Sequence, residues 1–280
     1  MKYFITGATG SVGRQIVNQL VEQNAEVTAM CRVPENSNLP KEVQAVKGDL
    51  TDGNINKQIF EGVETIFLFP AEGDIRPFLR TVKEAGVRHV IALSSLAVSA
   101  HFQRDLNSFS NKYHLAVENA VREAGLKLTA LRSGTFANNL LAWAPTIKMT
   151  RSVFLPFPDS AQALIHEADI ADCVVALFAQ PAKWGKVYEL SGPKAITQRE
   201  QVEKIGQALG VPLNCHRVTT EQFTSSVSQF MSTEIIKMIL TYWEETTLQP
   251  DMIRTGYTEI TGKTGRSFEQ WAEDHVGQFR

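Results

Sequence analysis

Residues 7, 10 and 13 are glycines, in the stretch Gly7-Ala8-Thr9-Gly10-Ser11-Val12-Gly13 that directly follows the apolar run Tyr3-Phe4-Ile5. A helix starting inside such a stretch offers unpaired amide groups and a partial positive charge to an anion. Gly7 would then permit a tight turn, Gly10 would let backbone approach a pyrophosphate, and Gly13 would let the helix pack close to the strand before it. Thr9, Ser11 and Val12 complete the expected contact set of a dinucleotide. A glycine triplet also occurs at ordinary turns, so the surrounding elements decide between the two readings.

The end of the second apolar run, Met30-Cys31-Arg32-Val33-Pro34, indicates which dinucleotide. An acid there would bind the adenosine ribose 2′-hydroxyl, whereas an arginine would accept a 2′-phosphate. Arg32 stands there and no acid does, so NADP(H) is expected rather than NAD(H), with Arg14 assisting; the alternative makes Arg32 a solvated loop residue. In Gly48-Asp49-Leu50 the Asp49 carboxylate could accept from an adenine amino group, with Leu50 beside it, or could simply form a turn. Leu68, Phe69 and Pro70 close a fourth apolar run, where ligands bind in open parallel sheets.

These residues need a scaffold, and periodicity supplies one. Short, nearly continuous apolar runs predict strands at Tyr3–Ile5, Glu26–Met30, Val43–Val46, Thr65–Phe69, His89–Leu93 and Leu128–Leu131, each covered on both faces. Val12, Ile16, Leu20 and Val21 recur at helical spacing, and further helices are expected near 54–61, 74–85 and 109–124, the last stopped by Gly125. Such alternation implies an α/β fold with a Rossmann-type doubly wound parallel sheet. Beyond Arg132 a stretch rich in Pro, Trp and Phe reads as irregular. A strand at Leu164–His166, a helix over 169–179 capped by Asp169, a strand at Lys186–Leu190 and helices over 198–209 and 232–243 follow. The expected organisation is a cofactor domain of residues 1–132 plus 162–193, and a smaller, mainly helical substrate domain of residues 133–161 plus 194–280.

Bulk properties exclude other classes. With 280 residues, 43% hydrophobic and a formal net charge of −2, the chain can bury a full core and has no positive field to draw nucleic acid. Cys31, Cys173 and Cys215 are dispersed, which argues against a disulfide framework or zinc cluster and for a reducing cytoplasm. The first apolar run is too short for a signal peptide, and no run approaches a membrane span. No metal site is expected: His166-Glu167 lacks a second histidine at zinc-helix spacing.

Several blocks together resemble one family. The glycine loop, Cys31-Arg32, Gly48-Asp49-Leu50, AGLKLTALRSGTFANNL over residues 124–140, HEADIADCVVAL, GKVYELSGP and TGRSFEQWAEDH are similar to the NmrA-like atypical short-chain dehydrogenase/reductases, over nearly the whole chain. The resemblance implies NAD(P)H-dependent reduction of quinones, azo dyes or triphenylmethanes, or redox sensing through bound NADP(H). It puts Gly134, Thr135 and Phe136 beside the nicotinamide and Asn139 in the pocket, although Ser133 replaces the family's usual proline.

The Tyr-x-x-x-Lys pair of typical short-chain dehydrogenases is missing, since Val117 stands four residues after Tyr113. Its phenol would exchange a proton while the lysine lowers the phenol pKa. His114, with Glu118 one turn later, is the substitute: the resemblance aims it at the ribose or a substrate oxygen, while the spacing alone equally describes a surface pair. An unperturbed pKa near ~6.5 would let His114 give up a proton at neutral pH. Tyr113 and His114 are thus the candidate catalytic residues. Ser94 and Ser95 end the fifth strand, where a hydroxyl could contact nicotinamide or form a turn, and Lys112 is expected on the solvated face. Phe136, Asn139 and Trp143 are the expected walls for the acceptor.

Two functions follow. One is hydride transfer from NADP(H) to a small quinoid or aromatic acceptor. The other is a non-catalytic NADP(H) sensor acting through a regulatory protein partner; a homodimer is compatible with either.

Overall fold

The computed structural model describes residues 2–52 and 55–280. Strands β1 (Lys2–Thr6), β2 (Glu26–Cys31), β3 (Gln44–Lys47), β4 (Val63–Leu68), β5 (His89–Ser95), β6 (Lys127–Ser133) and β9 (Val187–Leu190) form one sheet. Their order is β3-β2-β1-β4-β5-β6-β9, with every pairing parallel. The order reverses direction between β1 and β4, the crevice where parallel sheets bind ligands.

Alternation of side chains along each strand divides the core between the two faces. Phe4, Ile66, Leu68, Val90 and Ala92 face one way, against α2 (Arg76–Glu84) and α3 (Phe109–Glu123). Ile5, Phe67, Ile91 and Leu93 face the other, against α1 (Ser11–Glu22) and α5 (Glu167–Phe178). The edge strand β3 departs from the expected continuous apolar run, because only one neighbour covers it and most of its residues are exposed.

Other expectations need correction. The helix expected over 54–61 is one 3₁₀ turn, Lys57–Phe60; residue 54 lies outside the described residues. Leu164–His166 forms no strand, only a single parallel bridge between Ile165 and Phe136. Asp169 does not cap the following helix. His166 does, its Nδ1 accepting from Ala168 N at 3.1 Å, and Asp169 sits in the first turn. The region taken as irregular holds a 3₁₀ segment (Ala137–Trp143), α4 (Ala144–Thr150) with Pro145 at its start, and β7 (Ser152–Leu155). Proline suits a helix N-terminus, as Pro145 does here, whereas Pro156 and Pro158 lie in the bend and turn that follow β7.

Beyond this segment, β8 (Ala161–Gln162) pairs antiparallel with β10 (Ile196–Thr197), and β7 pairs in parallel with β11 (Asn214–Arg217). A third core joins α4 and β7 to α6 (Gln198–Leu209), α10 (Phe268–Asp274) and α11 (Val276–Phe279) around the fully buried Trp271. Between them run α7 (Thr220–Val227), α8 (Thr233–Leu248), longer than the expected 232–243, and α9 (Gly256–Thr261). Tyr257 and Ile260 of α9 join the core around α1 and α5, so residues 194–280 are not wholly given to the smaller body. Among the described residues no helix is long and apolar enough to cross a membrane.

Candidate active site

The glycine loop joins the C-terminal end of β1 to α1. Gly7 has φ +60°, and a Cβ on it would lie 2.8 Å from the Cβ of Phe69. A Cβ on Gly13 would lie 2.2 Å from the Gly7 carbonyl oxygen, a backbone atom that cannot move aside. The turn is closed by Gly10 N donating to Gly7 O at 3.0 Å, and the Thr6 hydroxyl accepts from Phe69 N at 2.7 Å, tying β1 to β4. Helix α1 has no side-chain cap and no acid in its first turn, so nothing neutralises its amide end. Thr9, Gly10 and Ser11 are exposed there, while the Val12 side chain is core and only its backbone is on offer. The residues present fit a dinucleotide pyrophosphate.

Arg14 and Arg32 lie to one side of this loop. Arg14 donates to the carbonyls of Ser37 and Asn38 at 3.0 and 2.9 Å, clamping the loop after β2 against α1. Arg32 is exposed, and its charge helps hold Asp49 below the ordinary carboxylate range, after the larger effect of hydrogen bonds from Thr51. Those bonds, from Thr51 N at 2.9 Å and Thr51 Oγ1 at 2.7 Å, give Asp49 the turn-forming geometry. Leu50 and Leu68 point into the core beneath the sheet, Phe69 packs on Gly7, and Pro70 is buried.

The expected catalytic pair is not in the acceptor cleft. Tyr113 stacks on Phe109 with centroids 5.9 Å apart, and burial with the Glu72 charge pushes its phenol up to about 12. His114 packs edge-on against Tyr113 at 4.9 Å, its Nδ1 buried without a partner. Burial lowers its pKa to about 4, below the unperturbed value on which the proton-donor expectation rests. The surface-pair reading fails: Glu118 is fully buried and accepts from Ser94 Oγ at 2.7 Å, Arg132 at 2.9 Å and Arg122 at 2.7 Å. Ser94 is therefore turned away from the cofactor side and held by Glu118. Ser95 faces the other way, accepting from Ala97 N at 3.2 Å and from Ser110 Oγ at 3.0 Å.

A cleft of about 1870 Å³ opens beyond the C-terminal ends of β5 and β6 and runs beneath α7 and α8. Ser95, Gly134 and Thr135 form its floor, and Asn139, Trp143 and Met238 stand in its walls. Phe136 does not line it. Its half-buried ring packs on the core around α1, because the bridge to Ile165 turns it inward. Lys112, expected on the solvated face, borders the cleft at its rim. Three lining residues that spacing did not suggest are Tyr242, Asp251 and Arg104. Tyr242 donates to Asp251, and Arg104, paired with Glu245, lies 5.1 Å from the Tyr242 ring centroid. Tyr242 and Asp251 are nine residues apart but match no familiar motif, and the carboxylate reaches the phenol because Asp251, beyond the end of α8, is tied to Ala161 and Ala163.

Comparison with known proteins agrees with this architecture. The model of the NmrA-like family matches residues 2–269. A (4-alkanoyl-5-oxo-2,5-dihydrofuran-3-yl)methyl phosphate reductase of Streptomyces griseus is 30% identical over 98% of each chain. An NAD(P)H azoreductase of Xenophilus azovorans is 24% identical, again over 98% of each. The fold is shared with an NADPH-dependent quinone oxidoreductase of Escherichia coli, crystallised with NADPH, at a TM-score of 0.77 and 20% identity over 97% of this chain and 99% of that one.

Proposed function

The chain belongs to the NmrA-like family, and on that premise we propose that it is a reductase carrying a hydride from NADPH to a small, conjugated acceptor of quinoid or aromatic type. The observation that carries this reading is a spacing. The glycine loop ends β1 and the cleft begins at β5 and β6, two and three strands along the same sheet edge. That is about 14 Å at three interstrand spacings, which an extended dinucleotide can span.

Gly7, Gly10 and Gly13 admit the pyrophosphate, and the amides of Ser11 and Val12 at the α1 N-terminus face it. Arg32, with Arg14 behind it, answers the 2′-phosphate. Gly134 and Thr135 receive the nicotinamide end, which when bound supplies the hydride. Trp143 and Met238 exclude water and offer a flat apolar wall, and Asn139 orients the acceptor at the mouth. The relatives named above for a quinone, an azo compound and a dihydrofuranone support a conjugated acceptor, since such groups are electrophilic before any acid acts on them. A pure sensor would have no need of a built cleft beside the nicotinamide position.

The test is NADPH oxidation by the purified protein with a panel of quinones, azo dyes and conjugated enones. Turnover above background with at least one class is expected. Tight NADPH binding with no oxidation by any of them would sink the reductase reading and leave the sensor.

A further inference from the structure

Tyr242 and Asp251 occupy the cleft without any role in the reading so far. Tyr242 lies near the end of α8, and its phenol donates to Asp251 Oδ2. Asp251 is fixed from behind: Oδ2 also accepts from Ala163 N at 3.2 Å, and Asp251 N donates to Ala161 O at 3.1 Å. The Thr135 hydroxyl, two residues beyond β6, stands beside the same phenol. Gly134, Thr135, Tyr242 and Asp251 thus form one continuous patch of cleft wall.

The charges facing this patch are already engaged. Arg104 is paired with Glu245 and Asp105, and Arg254 reaches Glu189 at 3.2 Å. Burial lifts the Asp251 carboxyl above its ordinary range against the lowering effects of Tyr242, Ala163 N, Arg104 and Arg254. It lifts the Tyr242 phenol further, with the Asp251 charge adding to the rise. A carboxyl raised in this way retains its proton to higher pH than an exposed one and can pass it to the phenolate left once the bonded phenol has given its own proton away.

Resting on the reductase reading, we propose that Tyr242 is the proton donor to the reduced acceptor and that Asp251 is the positioning residue that resupplies it. On a conjugated enone the β-carbon gains a C–H bond from the hydride of reduced nicotinamide. The C=C electron pair moves toward the carbonyl, whose oxygen takes the proton as the Tyr242 O–H bond breaks. The proton of the Asp251 carboxylic acid moves to the phenolate oxygen, and solvent reprotonates the carboxylate. One hydride and one proton are consumed, giving an enol that tautomerises to the saturated ketone.

The experiment compares two acceptors. A conjugated enone needs hydride and proton, whereas a cationic triarylmethane dye is neutralised by hydride alone. Tyr242→Phe is expected to lower the ratio of enone to dye reduction by about 100-fold, the usual scale of general acid catalysis. An unchanged ratio, including equal loss of both rates, overturns the proposal. In the wild type, enone turnover should fall as pH rises through the raised Asp251 pKa, and Asp251→Asn should abolish that limb; a limb that persists removes Asp251 from the relay. Quenching of intrinsic fluorescence by NADPH reports that each variant is folded. A wild type that reduces the dye but no enone keeps the reductase reading and overturns the relay, whereas one that reduces neither overturns both.

Discussion

In the proposed function, cofactor choice rests on one exposed side chain, Arg32. Its replacement by Glu should weaken NADPH by about 10- to 100-fold, the worth of one charge-assisted hydrogen bond, and leave NADH far less affected. Equal losses in the two titrations would return Arg32 to the solvent. His114→Ala should leave acceptor turnover unchanged, because the ring is neutral and outside the cleft; a large fall in turnover would restore it to the mechanism. His89 has a different consequence. It is fully buried, stacked 4.1 Å from Trp184 and bonded to Thr65 and Thr129, and burial lowers its pKa to about 3. The unfolded chain takes up that proton near pH 6.5 and the folded chain does not. Its contribution is therefore complete above pH 6.5 and declines toward pH 3, by on the order of 4 kcal/mol. The melting temperature should fall steadily from pH 7 to pH 4.5, less steeply in His89→Gln; parallel slopes would refute the attribution. At this scale the glycines were legible in the sequence because their requirement is steric and local. The surroundings of Ser94 and His114 were not legible, because the buried Glu118 that accepts from Ser94 is itself held by Arg132, from a different strand.

The strand–loop–helix unit at the N-terminus is the element to which the proposed function assigns the cofactor pyrophosphate. Gly13→Ala forces a methyl group to within 2.2 Å of the Gly7 carbonyl, so either helix α1 or the loop must move. A destabilisation of about 1–3 kcal/mol and loss of NADPH binding are expected from thermal melts and fluorescence titration. Retained affinity would mean that the loop is not the pyrophosphate site. Elements with buried strands on both sides, β1, β4 and β5, were readable as apolar runs, and α6 was readable over 198–209, the span that it occupies. The elements that escaped are those whose pattern is set by distant partners. β7 is a strand because β11 pairs with it, and residues 164–166 fail to become one because a single bridge is all that their neighbours offer.

For the whole molecule, an ionic cluster reinforces the apolar packing of α9 where the C-terminal segment meets α5. Arg266 donates to Asp169 Oδ1 at 2.5 Å and to Asp172 Oδ2 at 2.7 Å, and its backbone N donates to Asp169 Oδ2 at 2.9 Å. Asp169 is almost completely buried, so Arg266→Ala leaves a charge without its partner and should cost about 3–5 kcal/mol. Asp169→Asn in that background should recover part of the loss in chemical denaturation; no recovery would show that packing, not charge, was removed. The cleft was the least legible feature of all. Its walls come from residues 95–112, 133–163 and 218–254, and no local pattern announces that these converge.

Helix α1 packs on α5, and Gln19 donates to Asp172 across a sequence separation of 153 residues. During synthesis from the N-terminus, the face of the sheet that bears Ile5, Phe67 and Ile91 is therefore covered only by α1 until the ribosome has released α5. The N-terminal end of α1, with its glycine loop, is made first but is buttressed late. Pauses in translation before residue 178 would thus expose to chaperones the apolar part of this sheet face that α5 covers, and would do so for as long as the pause lasts.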